Sequence, residues 1–106
     1  MRIVYIAGPY RGKTYNETEA NIRQAEAAAI AFWDAGFGVF CPHLNTAHFE
    51  VKSTAPAEAY LEADLRMLEA CTDIFMLPGW WDSEGSRREL VRAKELGMEI
   101  LYKVPV

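Results

Sequence analysis

Two hydrophobic periods alternate along this chain without interruption, and that alternation limits the fold more than any other feature. Arg2 to Ala7 is a β-branched, apolar run ended by Gly8-Pro9, which reads as a buried first strand and a turn. Asn16 with Glu19 three residues on matches a capping box, opening a helix that runs to about Ala35 and is closed by Gly36. Ile22, Ala25, Ala29, Phe32 and Trp33 form its apolar stripe. Gly38 to Cys41 is a short second strand stopped by Pro42, and a loop follows from His43 to about Ala55. Pro56 starts a second helix ending near Ala70, Asp73 to Leu77 is a third strand, and Pro78 to Glu84 a loop. Gly85 to Leu96 is a third helix ended by Gly97, and Glu99 to Lys103 a last strand.

Such alternation implies right-handed crossovers and strands that run parallel with helices on both faces. The predicted class is α/β: a Rossmann/flavodoxin-like three-layer sandwich with a mostly parallel sheet of four to five strands. A second domain does not fit in 106 residues, of which 51% are hydrophobic and 25% charged, so residues 1–106 are expected to form one domain. The formal net charge of −4 argues against a nucleic-acid polymer as partner, and any phosphate site must be local. The longest apolar run, Ala27 to Trp33, falls far short of the roughly 20 residues that cross a bilayer. With no targeting segment ahead of the first strand, the expected location is the cytoplasm, and Cys41 and Cys71 suit buried thiols in a reducing compartment.

In sheets of this kind ligands bind beyond the carboxyl ends of the strands, where the winding reverses. The loops Gly8 to Tyr15, Pro42 to Ala55 and Pro78 to Gly85 are therefore the places to look. Two helices that flank them carry acids on inward faces. Leu61, Leu65 and Leu68 mark the buried stripe of the second helix, and Asp64 falls on that side. In the third helix Ala93 and Leu96 pack on the sheet, and Glu89, in the first turn, points the same way. A buried carboxylate is unfavourable unless bonded, paired or neutralised, so both residues are candidates for chemistry. The structural alternative for Glu89 is a capping box with Ser86, and for Asp64 a bond to a loop backbone.

The Gly8-to-Thr14 segment follows a strand and resembles a nucleotide P-loop, but only three residues separate Gly8 from the Gly12-Lys13 pair, where that loop requires four. What survives is a glycine turn exposing backbone N–H groups beside Arg11 and Lys13, which suits one small anion and equally fits a solvated basic turn. Cys41, His43, His48 and Cys71 lack finger-type spacing, and no metal or other cofactor is expected. Trp80 and Trp81 are placed to stack on a base or to cover the site, or equally to form a subunit contact or core cap, and His43 and Asn45 to face a substrate or brace their loop.

Tyr5-Ile-Ala-Gly-Pro9, Glu62-x-Asp64-Leu-x-x-Leu68, Asp73-Ile-Phe-Met-Leu77 and Ser83-x-Gly85-x-x-x-Glu89-Leu-x-x-Ala93, in this order, resemble the nucleoside 2-deoxyribosyltransferase superfamily. Pro42-His-Leu-Asn-Thr-Ala-His-Phe49 resembles its small, often phage-borne DUF4406 branch. By that resemblance Glu89 matches the family nucleophile, Asp64 the acid that assists departure of the base, and Tyr5 the phenol that holds the nucleophile. Related monophosphate glycosidases hold phosphate with the loop after the first strand and with a Ser and a Gly ahead of the nucleophile. Ser83 and Gly85 match that Ser and Gly and Arg11 matches the loop Arg, and Gly8, Pro9, Tyr10 and Lys13 of the same loop are substrate-binding candidates beside them. The chain departs from that pattern at Pro9, which replaces a small residue, at an extra residue near Thr72, and in the His43-to-Ala55 loop. The resemblance implies an enzyme that cleaves the C1′–N bond of a (deoxy)nucleoside 5′-monophosphate through a glycosyl ester on Glu89. Its alternatives are a 2′-deoxyribosyltransferase acting on free nucleosides and a non-catalytic nucleotide-binding module. A small-molecule partner and a homo-oligomer, a dimer by preference, go with it, because a short chain gives a loop-built site small walls.

Overall fold

The computed structural model describes all 106 residues. Its elements are β1 (Ile3–Ala7), α1 (Tyr15–Asp34), β2 (Gly38–Phe40), α2 (Pro42–Asn45), α3 (Ala57–Leu68), β3 (Asp73–Met76), α4 (Glu84–Glu95) and β4 (Glu99–Leu101). Single 3₁₀ turns lie at Phe49–Val51 and Trp80–Asp82. The four strands are all parallel, in the order β2-β1-β3-β4, with Tyr5 beside Ile74 and Ile6 beside Phe75. After β2 the chain returns across β1 to add β3, so the winding reverses between β1 and β3. That is where a doubly wound sheet opens a crevice.

The pleat divides the core. Val4, Ile6, Phe75 and Leu77 point to one face, where Ala25, Ala28, Ala29 and Phe32 of α1 cover them together with Cys41. The three alanines let α1 lie close, and Phe32 meets Phe75 at 5.2 Å between ring centroids. Tyr5, Ala7, Ile74 and Met76 point to the other face, under Leu68 of α3 and Leu90 and Ala93 of α4, with Cys71 packed at the margin. The two cysteines thus belong to opposite layers.

At the amino end of the strands, Asp73 is buried in the first position of β3. The Arg2 guanidinium pairs with it through a second nitrogen as well as Nε at 3.3 Å, the Thr72 hydroxyl donates at 2.6 Å, and Arg2 lies 4.7 Å over the Phe37 ring. Burial alone would raise the Asp73 pKa, but the bonds from Arg2 and Thr72 outweigh it and hold the carboxylate below its ordinary range.

Several boundaries differ from the sequence reading. Thr14, not Asn16, caps α1: its hydroxyl accepts the Glu17 N–H at 3.1 Å while the Glu17 carboxylate accepts the Lys13 N–H at 3.1 Å. The same three-residue spacing occurs two positions earlier, and the earlier box forms because Gly12 allows close approach to the first turn. Trp33 is 56% exposed, so the buried stripe ends at Phe32. Leu96 is likewise exposed because α4 stops at Glu95, and Met98 takes its place against the core. The His43-to-Ala55 stretch is more ordered than a plain loop, holding most of α2 and a 3₁₀ turn. Gly36 (φ 94°) and Gly97 (φ 71°) end their helices in left-handed conformations as expected. No helix is long and apolar enough to cross a membrane.

Candidate active site

A cavity of about 350 Å³ opens at the carboxyl end of β1, between α2, α3 and the start of α4. Its floor is the end of β1 with Pro42 and His43 of α2. One wall is the start of α4, with Gly85, Ser86 and Glu89; the facing wall is α3, with Ala57, Tyr60, Leu61 and Asp64. Tyr10, Arg11, Thr46 and Glu50 close the rim.

Glu89 reaches the cavity because of how α4 begins. The Ser83 hydroxyl caps the helix, accepting the Ser86 N–H at 3.2 Å, which places Glu89 six residues on, in the second turn rather than the first. The alternative box between Ser86 and Glu89 does not form, since Ser86 is already inside the helix with its hydroxyl 2.9 Å from that of Ser83. Glu89 is 7% exposed, and the phenol of Tyr5, buried on the same face of β1, donates a hydrogen bond to it. Burial pushes the Glu89 pKa up to about 8; the bond from Tyr5 works against this and the charge of Asp64 adds to it. Burial alone lifts Asp64, half-buried one turn after Leu61, to about 6. The Tyr5 phenol is raised well above its ordinary value by burial and by the two acids, so it remains a donor. Two acids that together hold one proton near neutrality, one of them gripped by a phenol, form a candidate nucleophile and proton donor.

The loop after β1 is held differently from the exposed turn that its sequence suggests. A Cβ on Gly8 would lie 2.6 Å from the Leu77 side chain and one on Gly12 2.3 Å from Cβ of Glu17, so both glycines serve close packing. The Gly12 N–H donates to Thr18 Oγ1 at 3.0 Å and the Lys13 N–H to Glu17, so these amides tie the loop to α1 instead of facing an anion. Asn21 Nδ2 donates to the Tyr10 carbonyl at 3.0 Å. The Tyr10 hydroxyl accepts the His48 N–H at 2.7 Å and donates to Glu50 at 2.5 Å; burial and the Glu50 bond push its pKa up to about 12. His48 itself has a left-handed backbone (φ 60°), stacks on Tyr15 at 4.3 Å and bonds Glu19 at 2.8 Å. His43 is buried, which lowers its pKa, and the neutral ring donates from Nε2 to the Pro9 carbonyl at 3.0 Å.

Of the residues singled out from sequence, Gly8, Tyr10, Arg11, His43, Asp64, Gly85 and Glu89 surround this one cavity. Tyr5 supports it through Glu89, and Pro9 through His43. Lys13, Asn45, Trp80 and Ser83 lie outside its lining. Lys13 and Asn45 are exposed, and the Ser83 hydroxyl is engaged as a helix cap. Trp80 packs between Trp81 (6.1 Å) and Tyr102 (6.4 Å) at the edge of the core, which leaves neither indole stacked over the cavity. Sequence reasoning missed Thr46, Glu50, Tyr60 and Ser86. Tyr60 lies four residues before Asp64 and Ser86 three before Glu89, so helical spacing carried a signal for these two. Glu50 had none, because only its contact with Tyr10 brings it inward.

Residues 2–102 match the family model described as a domain of unknown function, DUF4406. No curated protein matches the sequence. Among solved structures, the chain is similar to the 2-deoxyribosyltransferase of the psychrotolerant bacterium Bacillus psychrosaccharolyticus, with a TM-score of 0.65 and 22% identity over 98% of this chain and 77% of that one. It is similar also to a 2-desoxiribosyltransferase from Leishmania mexicana, with a TM-score of 0.63 and 22% identity over 95% of this chain and 63% of that one. The fold is that of these transferases, as the order of the sequence motifs led us to expect.

Proposed function

We propose that this chain, which belongs to the DUF4406 family, is an enzyme that cleaves the C1′–N bond of a (deoxy)nucleoside 5′-monophosphate. The observation that carries the reading is the Glu89 carboxyl, gripped by Tyr5 and facing the same cavity as Asp64. Cleavage of that bond passes through an oxocarbenium-like sugar, which is stabilised by a carboxylate beneath the ring and a proton donor at the departing base. The reactive form of the pair is the one with its shared proton on Asp64, the less populated of the two in the empty cavity and the one that a sugar developing positive charge beside Glu89 favours. The Glu89 carboxylate attacks C1′ and forms a sugar ester as the bond electrons leave with the base, and Asp64 protonates the base nitrogen. Water, giving its proton to Asp64, then attacks C1′ and releases the sugar and the Glu89 carboxylate. Tyr5 donates to whichever Glu89 oxygen is not bonded to the sugar. Arg11 and the N–H groups at the start of α4, near Gly85, are the groups available to a 5′-phosphate.

A second reading, transfer between free nucleosides, is favoured by the position of Lys13 and Ser83 outside the cavity and by the engaged amides of Gly12 and Lys13. The two readings share the ester and differ in what binds the 5′ end and what attacks next. Incubation with a panel of nucleosides and 5′-monophosphates, followed by detection of released base, tests the proposal. Base release from monophosphates at a rate unchanged by excess free base is expected. Dominant exchange on unphosphorylated nucleosides would establish the second reading, and release from neither class would end both. A homodimer completing the cavity belongs to the same proposal, and full activity of a monomer in light scattering would remove it.

A further inference from the structure

Glu50 is an acid in the cavity rim that the proposed reaction does not use. Its carboxylate is bonded only by Tyr10, whose hydroxyl oxygen lies 2.5 Å from Oε1 and 3.1 Å from Oε2. That hydroxyl accepts the His48 N–H, and of the two acceptors within reach of its proton, Glu50 at 2.5 Å and the Thr46 carbonyl at 3.4 Å, Glu50 is the nearer and the charged one, so the proton points at Glu50. The carboxylate is thereby fixed in orientation, acceptor-only, with the outward lone pair of each oxygen left for a ligand. Glu50 also stands at one end of a continuous stretch of chain that runs past Ala55 and Ala57 to Tyr60 and Leu61 and ends at Asp64. The largely apolar surface between the two acids suits the flat face of a base.

We propose that Glu50, oriented by Tyr10, is a specificity-determining residue that selects a base carrying an exocyclic amino group where its deaminated counterpart carries a carbonyl. This rests on the reading of the cavity as a nucleoside or nucleotide site, with Asp64 at the glycosidic nitrogen. An amino group donates to the free lone pair of Glu50. A carbonyl in the same place sets oxygen against oxygen, leaves a partly buried carboxylate unpaired, and is rejected. A glutamine in place of Glu50 would turn its oxygen to the Tyr10 proton and its NH₂ to the ligand, so the preference should reverse. A sugar hydroxyl offers the same donor chemistry, and matched substrates separate the two.

The test measures binding by calorimetry and base release for two matched pairs, 2′-deoxyadenosine with 2′-deoxyinosine 5′-monophosphate and 2′-deoxycytidine with 2′-deoxyuridine 5′-monophosphate. Wild-type protein and Glu50→Gln are compared on both, together with the ribose counterpart of the better ligand. The wild type is expected to favour the amino member of at least one pair by about tenfold or more, and Glu50→Gln to bring that ratio to unity or below. Tyr10→Phe, which removes the orienting bond and keeps the ring, should narrow the ratio while leaving the carboxylate in place. A wild-type preference for neither member, or a preference that survives Glu50→Gln, overturns the proposal. So does a Glu50→Gln effect confined to the ribose-to-deoxyribose ratio. Selective binding without base release would sustain the role of Glu50 and overturn the proposed reaction, so the two ideas fail separately.

Discussion

At the amino end of the β1–β3 pair a buried carboxylate, Asp73, meets a guanidinium and a hydroxyl; at the carboxyl end another, Glu89, meets a phenol and a second acid. The first is held below its ordinary pKa by its partners, and the second is pushed up to about 8 by burial without a cation to offset it. The same two strands therefore border one acid, Asp73 on β3, whose charge is neutralised inside the fold, and another, Glu89 on α4, which burial keeps protonated more readily because no cation inside the fold offsets its charge. Under the proposed reaction a cationic sugar transition state supplies that offset. The difference separates a stabilising ion pair from an acid with the perturbed pKa on which the proposed reaction rests.

The most severe way to break this contrast is Glu89→Gln. Base release should fall by about a thousandfold or more while nucleotide binding persists, because the amide keeps the shape but forms no ester. The variant should also be more stable than wild type at pH 8. A carboxyl with a raised folded-state pKa contributes stability that is fully present below about pH 4.3 and is lost as pH rises toward about 8. Glutamine carries no charge to bury, so its advantage in thermal melting should grow between pH 5 and pH 8. A parallel pair of melting curves across that range would place the strain elsewhere.

Asp64→Asn should lower release by about 10²–10⁴-fold, most for bases that leave poorly without a proton. An equal loss for every base would make Asp64 structural. For the wild type, the rate should follow a bell with limbs near pH 6 and pH 8 that belong to the Asp64–Glu89 pair, not to either acid alone. Arg11→Ala should weaken monophosphate binding by roughly ten- to a hundredfold, the worth of one charge-assisted bond, and scarcely change any reaction with the free nucleoside. Equal losses on both would put Arg11 outside the phosphate site.

Asp73→Asn gives the smallest effect and sharpens the other half of the comparison. It should cost about 1–2 kcal/mol at neutral pH, as for a partly exposed charged hydrogen bond, and leave base release intact. The sign of its pH dependence is opposite to that of Glu89. A depressed pKa contributes stability above about pH 3.9 that is lost as pH falls through the folded-state value, so variant and wild-type melting should converge in strong acid. Convergence at alkaline pH instead would contradict the role of Arg2.

Hydrophobic period disclosed the order of the four strands and the three long helices, because the central strands β1 and β3 are buried on both faces and each long helix has one apolar side. It also placed Asp64 and Glu89 inward, since three- and four-residue spacings from leucines and alanines decide which way a helical side chain points. Finer features depended on competition between equivalent local signals. Thr14 with Glu17 and Asn16 with Glu19 are the same box shifted by two residues, and tertiary contact at Gly12 selects the first. Ser83 entered as a residue near an anion, yet its hydroxyl caps the start of α4. Trp80, which sequence left open between a ligand cover and a core cap, packs against the core beside Trp81 and Tyr102. Glu50 was invisible because its partner is 40 positions away.

The position of β1 in the middle of the sheet has a consequence for the route by which the molecule assembles. The first strand of the chain pairs with both β2 and β3, and the bond that holds Glu89 joins residues 84 positions apart. Loop closure over such distances slows folding and delays the contacts that depend on it. A nascent chain that has released only β1, α1 and β2 can bury the α1 face of the sheet, but it has neither acid. The Tyr5–Glu89 contact is completed late in synthesis, when α4 docks, so under the proposed reaction partly made or partly unfolded chains are expected to be inert toward nucleotides.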